Sequence, residues 1–371
     1  ARKKMSAWIK KEGLGEKKIN YKMRDWTFSR QRYWGEPIPL VHCEKCGVVP
    51  VPEKELPVLL PKVKAYEPTD TGESPLAGIA KWVNTECPKC RGKARRETNT
   101  MPQWAGSCWY YLRFIDPKNT KTLVDKKKEA KYMPVDLYVG GTEHATRHLL
   151  YARFWHKFLF DIGVVSGQEP FKKLVNQGLI NASDGRKMSK RWGNVINPDD
   201  MVADFGADAF RLYEMFMGPF VQTIAWNTDG VVGTRRFLEK VWKLGQKTIS
   251  GEQSAENEKL ESLLHQTIRK VTEDIEEFKF NTAVSSLMIL VNAMEKESQL
   301  PVASYRSLLL LLAPFAPHIA EELWSEMGEK QSIFLSKWPV WDEKKVITLS
   351  VPVAVQVNGK VRAVIALAPD E

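Results

Sequence analysis

Two Cys-x-x-Cys pairs, Cys43-Glu-Lys-Cys46 and Cys87-Pro-Lys-Cys90, stand 40 residues apart. Each pair presents two thiolates on one side of a tight turn, and two such pairs complete a tetrahedral zinc set. Whatever this chain folds into must therefore bring the regions around 43 and 87 together. We expect a structural zinc on Cys43, Cys46, Cys87 and Cys90, within an insertion spanning 42–98. Four thiolates leave no open position, which argues against a catalytic zinc. Gly47 and Gly92 follow the pairs and suit the turn that brings backbone N–H groups near sulfur. The fifth thiol, Cys108, is left over, and this usage fits metal binding in a reducing, cytoplasmic compartment better than disulfides.

Elsewhere the pattern divides the chain. Residues 1–13 read as a helix ended by Gly13 and Gly15, and 1–18 as an exit from something upstream, because the chain opens at Ala1 inside that helix. Segments 19–41 and 99–230 alternate apolar runs with longer helical stretches, as an α/β domain does. Val135-Asp-Leu-Tyr-Val139 reads as a strand, followed by Gly140-Gly141, a helix from about 142 to 161, and a second strand from Lys173 to Ile180. From 231 to 340 the period is helical: Leu260, Leu264, Ile268, Val271, Ile275 and Phe278 form one apolar stripe, and Ala283, Val284, Leu287, Met288, Val291 and Met294 another. A third helical region, Tyr305 to Trp324, is broken by Pro314 and Pro317. Such stripes belong to a helical bundle core. In 341–371, Val351–Val357, Asn358-Gly359 and Val361–Ala366 read as a hairpin with a type I′ turn, the start of a small α+β domain.

Charge narrows the partners. The 371 residues carry a net charge of +10, and residues 1–35 hold eleven basic against three acidic side chains. There the cations alternate with Trp8, Tyr21, Trp26, Tyr33 and Trp34, which suits a polyanion with stackable bases. No apolar run is long enough to suggest a membrane span, and no signal peptide is evident. No membrane partner is expected.

Two further stretches carry chemistry. Glu143-His144-Ala-Thr-Arg-His148 admits three readings: polar residues on an amphipathic helix, a metal pair at i and i+4, or a ligand site beyond the carboxyl end of a strand. On the third, Gly140-Gly141 lets a ligand approach the backbone and Glu143 accepts from ribose hydroxyls. Gly185-Arg-Lys-Met-Ser-Lys-Arg-Trp-Gly193 puts four cations between two glycines. Lysine is a flexible point charge suited to phosphate oxygens that move during reaction.

The stretches "YKMRDWTFSRQRYWGEPIPLVHC", "ETNTMPQWAGSCWYYLR", "VDLYVGGTEHATRHLLYARFWHK", "KMSKRWGNVINPDD" and "APFAPHIAEELW" occur in this order. Together they resemble the bacterial-type leucyl-tRNA synthetases, a family of class I aminoacyl-tRNA synthetases. Lys187-Met-Ser-Lys190 is similar to the second signature of that class. The resemblance implies the second half of a Rossmann-like catalytic domain with a zinc-knuckle insertion, followed by a tRNA-binding bundle. It implies ATP-dependent activation of leucine to leucyl-adenylate and transfer to tRNA(Leu), with Mg2+ accompanying the ATP. By the same resemblance Lys190 is the principal triphosphate ligand, assisted by Lys187. Gly140, Gly141 and Glu143 would hold ATP. Tyr138, His144 and His148 would line the leucine pocket, with Trp104, Ser107 and Tyr110 opposite.

The chain departs from that pattern in four places. It has no His-x-Gly-His first signature and no editing domain. The insertion before the lysine loop is reduced to Ala182-Ser-Asp-Gly-Arg186, and Arg191 takes the place of the signature's last serine. The expectation is a ligase portion whose active site is completed by an amino-terminal part, with a mobile lysine loop. Two competing readings are an RNA-binding module that kept the scaffold without catalysis, and a zinc hydrolase built on His144 and His148.

Overall fold

The computed structural model describes all residues except 1, 19–23, 25–26, 68, 252–256, 347–350, 358–359 and 368–371. Tyr21, Trp26 and the Asn358-Gly359 turn lie outside the described residues. The chain divides into two compact units, Ala1–Val175 and Asn176–Glu371.

The first unit opens with the helix Arg2–Lys11, which buries none of its residues. Gly13 ends it in a left-handed conformation, φ 67°. The N–H groups of Leu14 and Gly13 donate back to the carbonyls of Ile9 and Lys10, so the helix closes with a glycine C-cap.

The cysteine region forms a four-stranded antiparallel sheet in the order Gly47–Pro50, Leu40–Cys43, Lys93–Arg96, Asn84–Glu86. One face buries Val41, Cys43 and Ala94 over Cys87 and Val49, a core of few residues. The other presents His42, Val48, Arg95 and Lys93 to solvent.

After the short helices Gln103–Ser107, Tyr110–Ile115 and Lys126–Tyr132, the strand Val135–Val139 pairs in parallel with Phe171–Val175. The helix His148–Asp161 lies between these strands in sequence, making a βαβ unit. Its inner face buries Tyr151, Ala152 and Leu159 against Ala105, Cys108, Tyr111 and Leu112.

Two sequence expectations change here. The helix does not run from 142: residues Thr142–His144 make a 3₁₀ turn, and Arg147, at φ −125° and ψ −108°, interrupts it before His148. Glu143 and His144 therefore precede the α-helix. The strand drawn from Lys173 to Ile180 is two strands, Phe171–Val175 and Ile180–Asn181. Gly178 explains the break. It donates to the Phe220 carbonyl, and a Cβ there would stand 1.8 Å from the Gln222 carbonyl oxygen.

In the second unit Ile180–Asn181 pairs in parallel with Ile224–Ala225. The helices Pro198–Phe205 and Ala207–Phe216 lead to a bundle of Thr228–Ser250, Glu258–Glu276, Phe280–Met294, Val302–Leu312 and Pro317–Glu326. Both apolar stripes face its core, with Leu290 added to the second. Phe278 is the exception. It follows the end of its helix at φ 59° and packs its ring against Phe220 and Phe280. The left-handed turn, not the helix, carries it inward. Pro317 occupies the first turn of its helix, where its missing N–H costs nothing. Buried Asp208 caps that helix from a neighbouring one, its carboxylate accepting from Ile319 N–H at 2.7 Å and His318 Nδ1 at 2.7 Å. Beyond the bundle, Val351–Val357 and Lys360–Leu367 form the antiparallel hairpin, with a register irregularity at Val355/Gln356.

Candidate functional site

The four knuckle cysteines converge. Their sulfurs all lie within 4.8 Å of one another, and Cys43 and Cys90 Sγ are 3.6 Å apart. Sulfurs on the corners of a tetrahedral zinc site sit about 3.8 Å apart, from Zn–S bonds of about 2.3 Å. The donor set fits that ion. Cys43 faces Gly47 across a hairpin whose turn needs the left-handed Gly47, φ 72°. In the second knuckle the left-handed residue is Arg91, φ 60°, rather than Gly92. Gly92 instead leaves room for sulfur, since an added Cβ would lie 3.4 Å from Cys90 Sγ. A hydrogen bond to Cys90 pushes the Cys46 thiol up to about 12, while the Cys90 backbone N–H draws the Cys87 thiol down to about 7. Four thiolates this close repel one another, and a bound dication removes the conflict.

The lysine loop is a pinned structure. Asn181 Nδ2 donates to the Gly185 carbonyl at 2.9 Å, and the Asn194 side chain accepts from Ser189 N–H at 2.9 Å. Gly185 and Gly193 are both left-handed, at φ 79° and 64°, so they serve as turn residues. Met188 packs against the unit's core, while Lys187 and Lys190 on either side are exposed. Neither lysine has an ion-pair partner among the described residues. Of the four cations, Arg186 is neutralised by Asp184 at 2.6 Å. Arg186 and Arg191 each lie 5.2 Å from the exposed Trp192 ring. The asparagines that hold the loop were not singled out in the sequence, where nothing separates them from ordinary loop residues.

In the first unit the six residues expected to bind the amino acid come together. Tyr138 Oη lies 2.6 Å from His148 Nε2 and 3.0 Å from Tyr110 Oη; Ser107 Oγ lies 3.3 Å from His148 Nδ1. The Trp104 ring meets His144 edge to face at 5.6 Å, and His144 meets His148 likewise at 6.2 Å. Tyr110 and Ser107 thus bond directly to Tyr138 and His148, the residues they were expected to stand opposite. The strand supplies Tyr138, the start of the crossover helix supplies His148, and the helix Gln103–Ser107 supplies Trp104 and Ser107. Phe171, which the sequence did not flag, stacks on Tyr138 at 3.9 Å and fixes its ring.

The hydrogen-bond chain has a direction. Ser107 Oγ donates to the Trp104 carbonyl at 3.4 Å, an acceptor only, so His148 Nδ1–H donates to Ser107. His148 Nε2 then accepts from Tyr138, and Tyr138 accepts from Tyr110. This assigns the neutral, Nδ1-protonated tautomer. Burial and the neighbouring His144 agree, depressing the His148 pKa below its ordinary value. With both ring nitrogens engaged, His148 has no lone pair to offer a metal. His144 is on the 3₁₀ turn rather than one helical turn earlier, so the paired-histidine metal geometry is absent.

Gly140 continues the strand, its N–H donating to the Val175 carbonyl at 3.1 Å, and an added Cβ there would meet nothing within 4 Å. At Gly141 a Cβ would stand 2.2 Å from Glu143 Oε2, so the exposed Glu143 carboxylate folds back over a bare backbone.

Residues 4–227 match tRNA synthetases class I (I, L, M and V), and residues 257–371 match the anticodon-binding domain of tRNA ligase. The chain belongs to the class I tRNA synthetases. Its architecture is accordingly a class I catalytic fold joined to a helical anticodon-binding domain, with a cysteine cluster compatible with a zinc knuckle. It is 54% identical over 370 residues to the leucine–tRNA ligase of Alkaliphilus oremlandii (strain OhILAs), covering 100% of this chain and 46% of that relative. It is also similar to the crystal structure of the Agrobacterium radiobacter K84 agnB2 LeuRS in a ternary complex with tRNA and LeuAMS. There the TM-score is 0.81 at 37% identity, covering 99% of this chain and 49% of the other. The chain thus spans about half the length of the relatives it matches. No helix among the described residues of this chain is long and apolar enough to cross a membrane.

Proposed function

We propose that this chain is the carboxyl-terminal portion of a leucine–tRNA ligase, contributing to leucyl-adenylate formation from leucine and ATP and to transfer onto tRNA(Leu). The observation that carries the reading is the lysine loop, which exposes Lys187 and Lys190 without counter-ions among the described residues while its own hydrogen bonds hold the backbone. Attack of the leucine carboxylate on the α-phosphorus forms an acyl–phosphate bond and expels pyrophosphate. Negative charge grows on the leaving phosphates, and two positioned ammonium groups stabilise it as it develops. Mg2+ would travel with the ATP. Glu143, with no side chain at Gly140 or Gly141 to obstruct it, would accept from the ATP ribose hydroxyls. Trp104, Ser107, Tyr110, Tyr138, His144 and His148 would form the wall for the leucine side chain, with His148 held neutral. The choice of leucine rests on the 54% identity to a leucine–tRNA ligase.

Zinc would be held by Cys43, Cys46, Cys87 and Cys90, where it supplies a structural cross-link and no chemistry of the reaction. The exposed basic helix Arg2–Lys11 and the bundle are offered to tRNA.

The test is leucine-dependent pyrophosphate exchange by this chain mixed with an amino-terminal piece carrying His-x-Gly-His. Exchange is expected from the mixture, with a drop of at least tenfold in Lys190→Ala and a smaller one in Lys187→Ala. Full exchange by the Lys190→Ala mixture would remove the phosphate-binding role. No exchange from any mixture, with tRNA binding retained, would favour the non-catalytic RNA-binding module.

A further inference from the structure

The second knuckle and the strand that follows it carry a run of cations that the reaction does not use. Lys89, Arg91, Lys93 and Arg95 recur at every second position, and all four are exposed. None has an ion-pair partner among the described residues. Strand alternation explains the last two. Ala94 points into the small core with Cys43, its partner in register, so Lys93 and Arg95 lie on the opposite, solvent face. They are therefore not there to offset the charge of the thiolates. Arg95 stands in register with His42, and Lys93 with Glu86. Acidic neighbours are few. Glu44 and Glu86 are exposed, and Glu97 is occupied by His42 at 2.9 Å and by the Asn99 N–H at 2.8 Å.

Arg91 adds a second observation. It holds the left-handed position of the knuckle turn, φ 60°, which glycine fills at no steric cost in the first knuckle. A non-glycine residue kept in that conformation points to a use for its side chain.

We propose that Lys89, Arg91, Lys93 and Arg95 form a ridge that grips successive phosphates of an RNA strand. The ridge belongs to the cysteine insertion of the first unit, whereas the lysine loop and the helical bundle are parts of the second. Lys93 and Arg95 share one face of the strand Lys93–Arg96 and stand about 6.8 Å apart, a spacing suited to consecutive phosphates on an extended backbone, and Lys89 and Arg91 continue the run into the exposed knuckle turn. Arginine supplies the planar fork and lysine the point charge that such oxygens take. The proposal rests on the reading of tRNA as this protein's partner.

The test uses the full zinc-loaded chain and a tRNA(Leu) transcript, with affinity followed over a salt series. Arg91→Gly/Lys93→Gln/Arg95→Gln removes three cations and leaves the turn with its preferred residue. Each phosphate contact contributes roughly 0.7–0.9 to the slope of log affinity against log salt. The triple variant should therefore lose about 2 from that slope and at least tenfold in affinity at moderate salt. Lys93→Gln/Arg95→Gln, on the face away from the sulfurs, should lose more than half of that change with its zinc content intact. An unchanged slope in this double variant overturns the ridge. So does competition by poly-glutamate as effective as RNA of equal charge, which would mean an acidic protein surface fits equally well. Pyrophosphate exchange involves only leucine and ATP, so the two ideas separate. Exchange with an unchanged slope defeats the ridge alone. A reduced slope without exchange keeps the ridge and defeats the ligase reading.

Discussion

His148 shows how one buried side chain can set the state of a wall. It accepts from Tyr138 and donates to Ser107, an order forced by the Trp104 carbonyl at the end of the chain. Removing the donor in Tyr138→Phe leaves the buried Nε2 unpaired. That should cost about 1–3 kcal/mol, read as a lower urea midpoint with an unchanged slope. The pH dependence has a definite sign. Burial first, then nearby like charge for His148, lowers the pKa of both His148 and His156. Above the ordinary histidine value both are neutral in either state and their contribution to stability is complete. As pH falls below about 6.5 the unfolded chain takes up the protons first. Stability should therefore fall between about pH 6.5 and the depressed folded values, and His148→Gln should flatten part of that slope in urea melts. These six residues were nameable from the sequence through the quoted motifs. Their direct hydrogen bonding was not, because it depends on a helix that starts at His148 instead of 142. Nothing in the identities of Ala145, Thr146 and Arg147 announces the break.

At the scale of elements, glycines and caps decide where helices meet. Gly245 sits under Tyr305 and Leu323, where a Cβ would come within 2.6 Å of the Tyr305 hydroxyl oxygen. That hydroxyl donates to the Val241 carbonyl at 2.7 Å, so it cannot move away without losing its partner. Gly245→Ala should destabilise the bundle by about 1–3 kcal/mol despite alanine's better helix propensity, measured by thermal or urea melting. Asp208→Ala strips the cap from Pro317–Glu326 and leaves the Ile319 N–H without its acceptor. A loss of about 1–2 kcal/mol is expected, with Asp208→Asn retaining part of the bond. The bundle was the most legible part of the chain, because a 3.6-residue apolar period maps directly onto buried positions. The divided strand had the opposite cause. Lys173 to Ile180 is apolar enough for one strand, and only the approach of the Gln222 backbone to Gly178, distant in sequence, breaks it.

For the molecule as a whole, the four-stranded cysteine sheet has the least apolar core to hold it, so its order should follow its metal. One zinc per chain is expected by elemental analysis, lost in Cys87→Ser. Chelation should speed amide exchange in Leu40–Cys43 and Lys93–Arg96 and leave that of Phe280–Met294 unchanged. A metal content of two per chain would contradict the single four-thiolate site. The pairing of the knuckles was readable from spacing alone. That Arg91 and not Gly92 takes the left-handed turn was not, because spacing identifies ligands and says nothing of backbone sign.

The directional chain through His148 also bears on what the wall refuses. Along that chain Ser107, His148 and Tyr138 carry no charge and each hydrogen has an assigned acceptor, so this stretch of the wall has neither a spare proton nor a spare charge to give. A carboxylate or ammonium side chain brought against it would lose its water and receive nothing in exchange, which costs more than the modest gain from aliphatic contact. An aliphatic side chain loses little by the same move. If this wall receives the amino-acid side chain as proposed, selection there would work by exclusion: the uncharged chain would turn away charged competitors before shape has to choose among the branched ones, where a methylene is worth only about 1–3 kcal/mol.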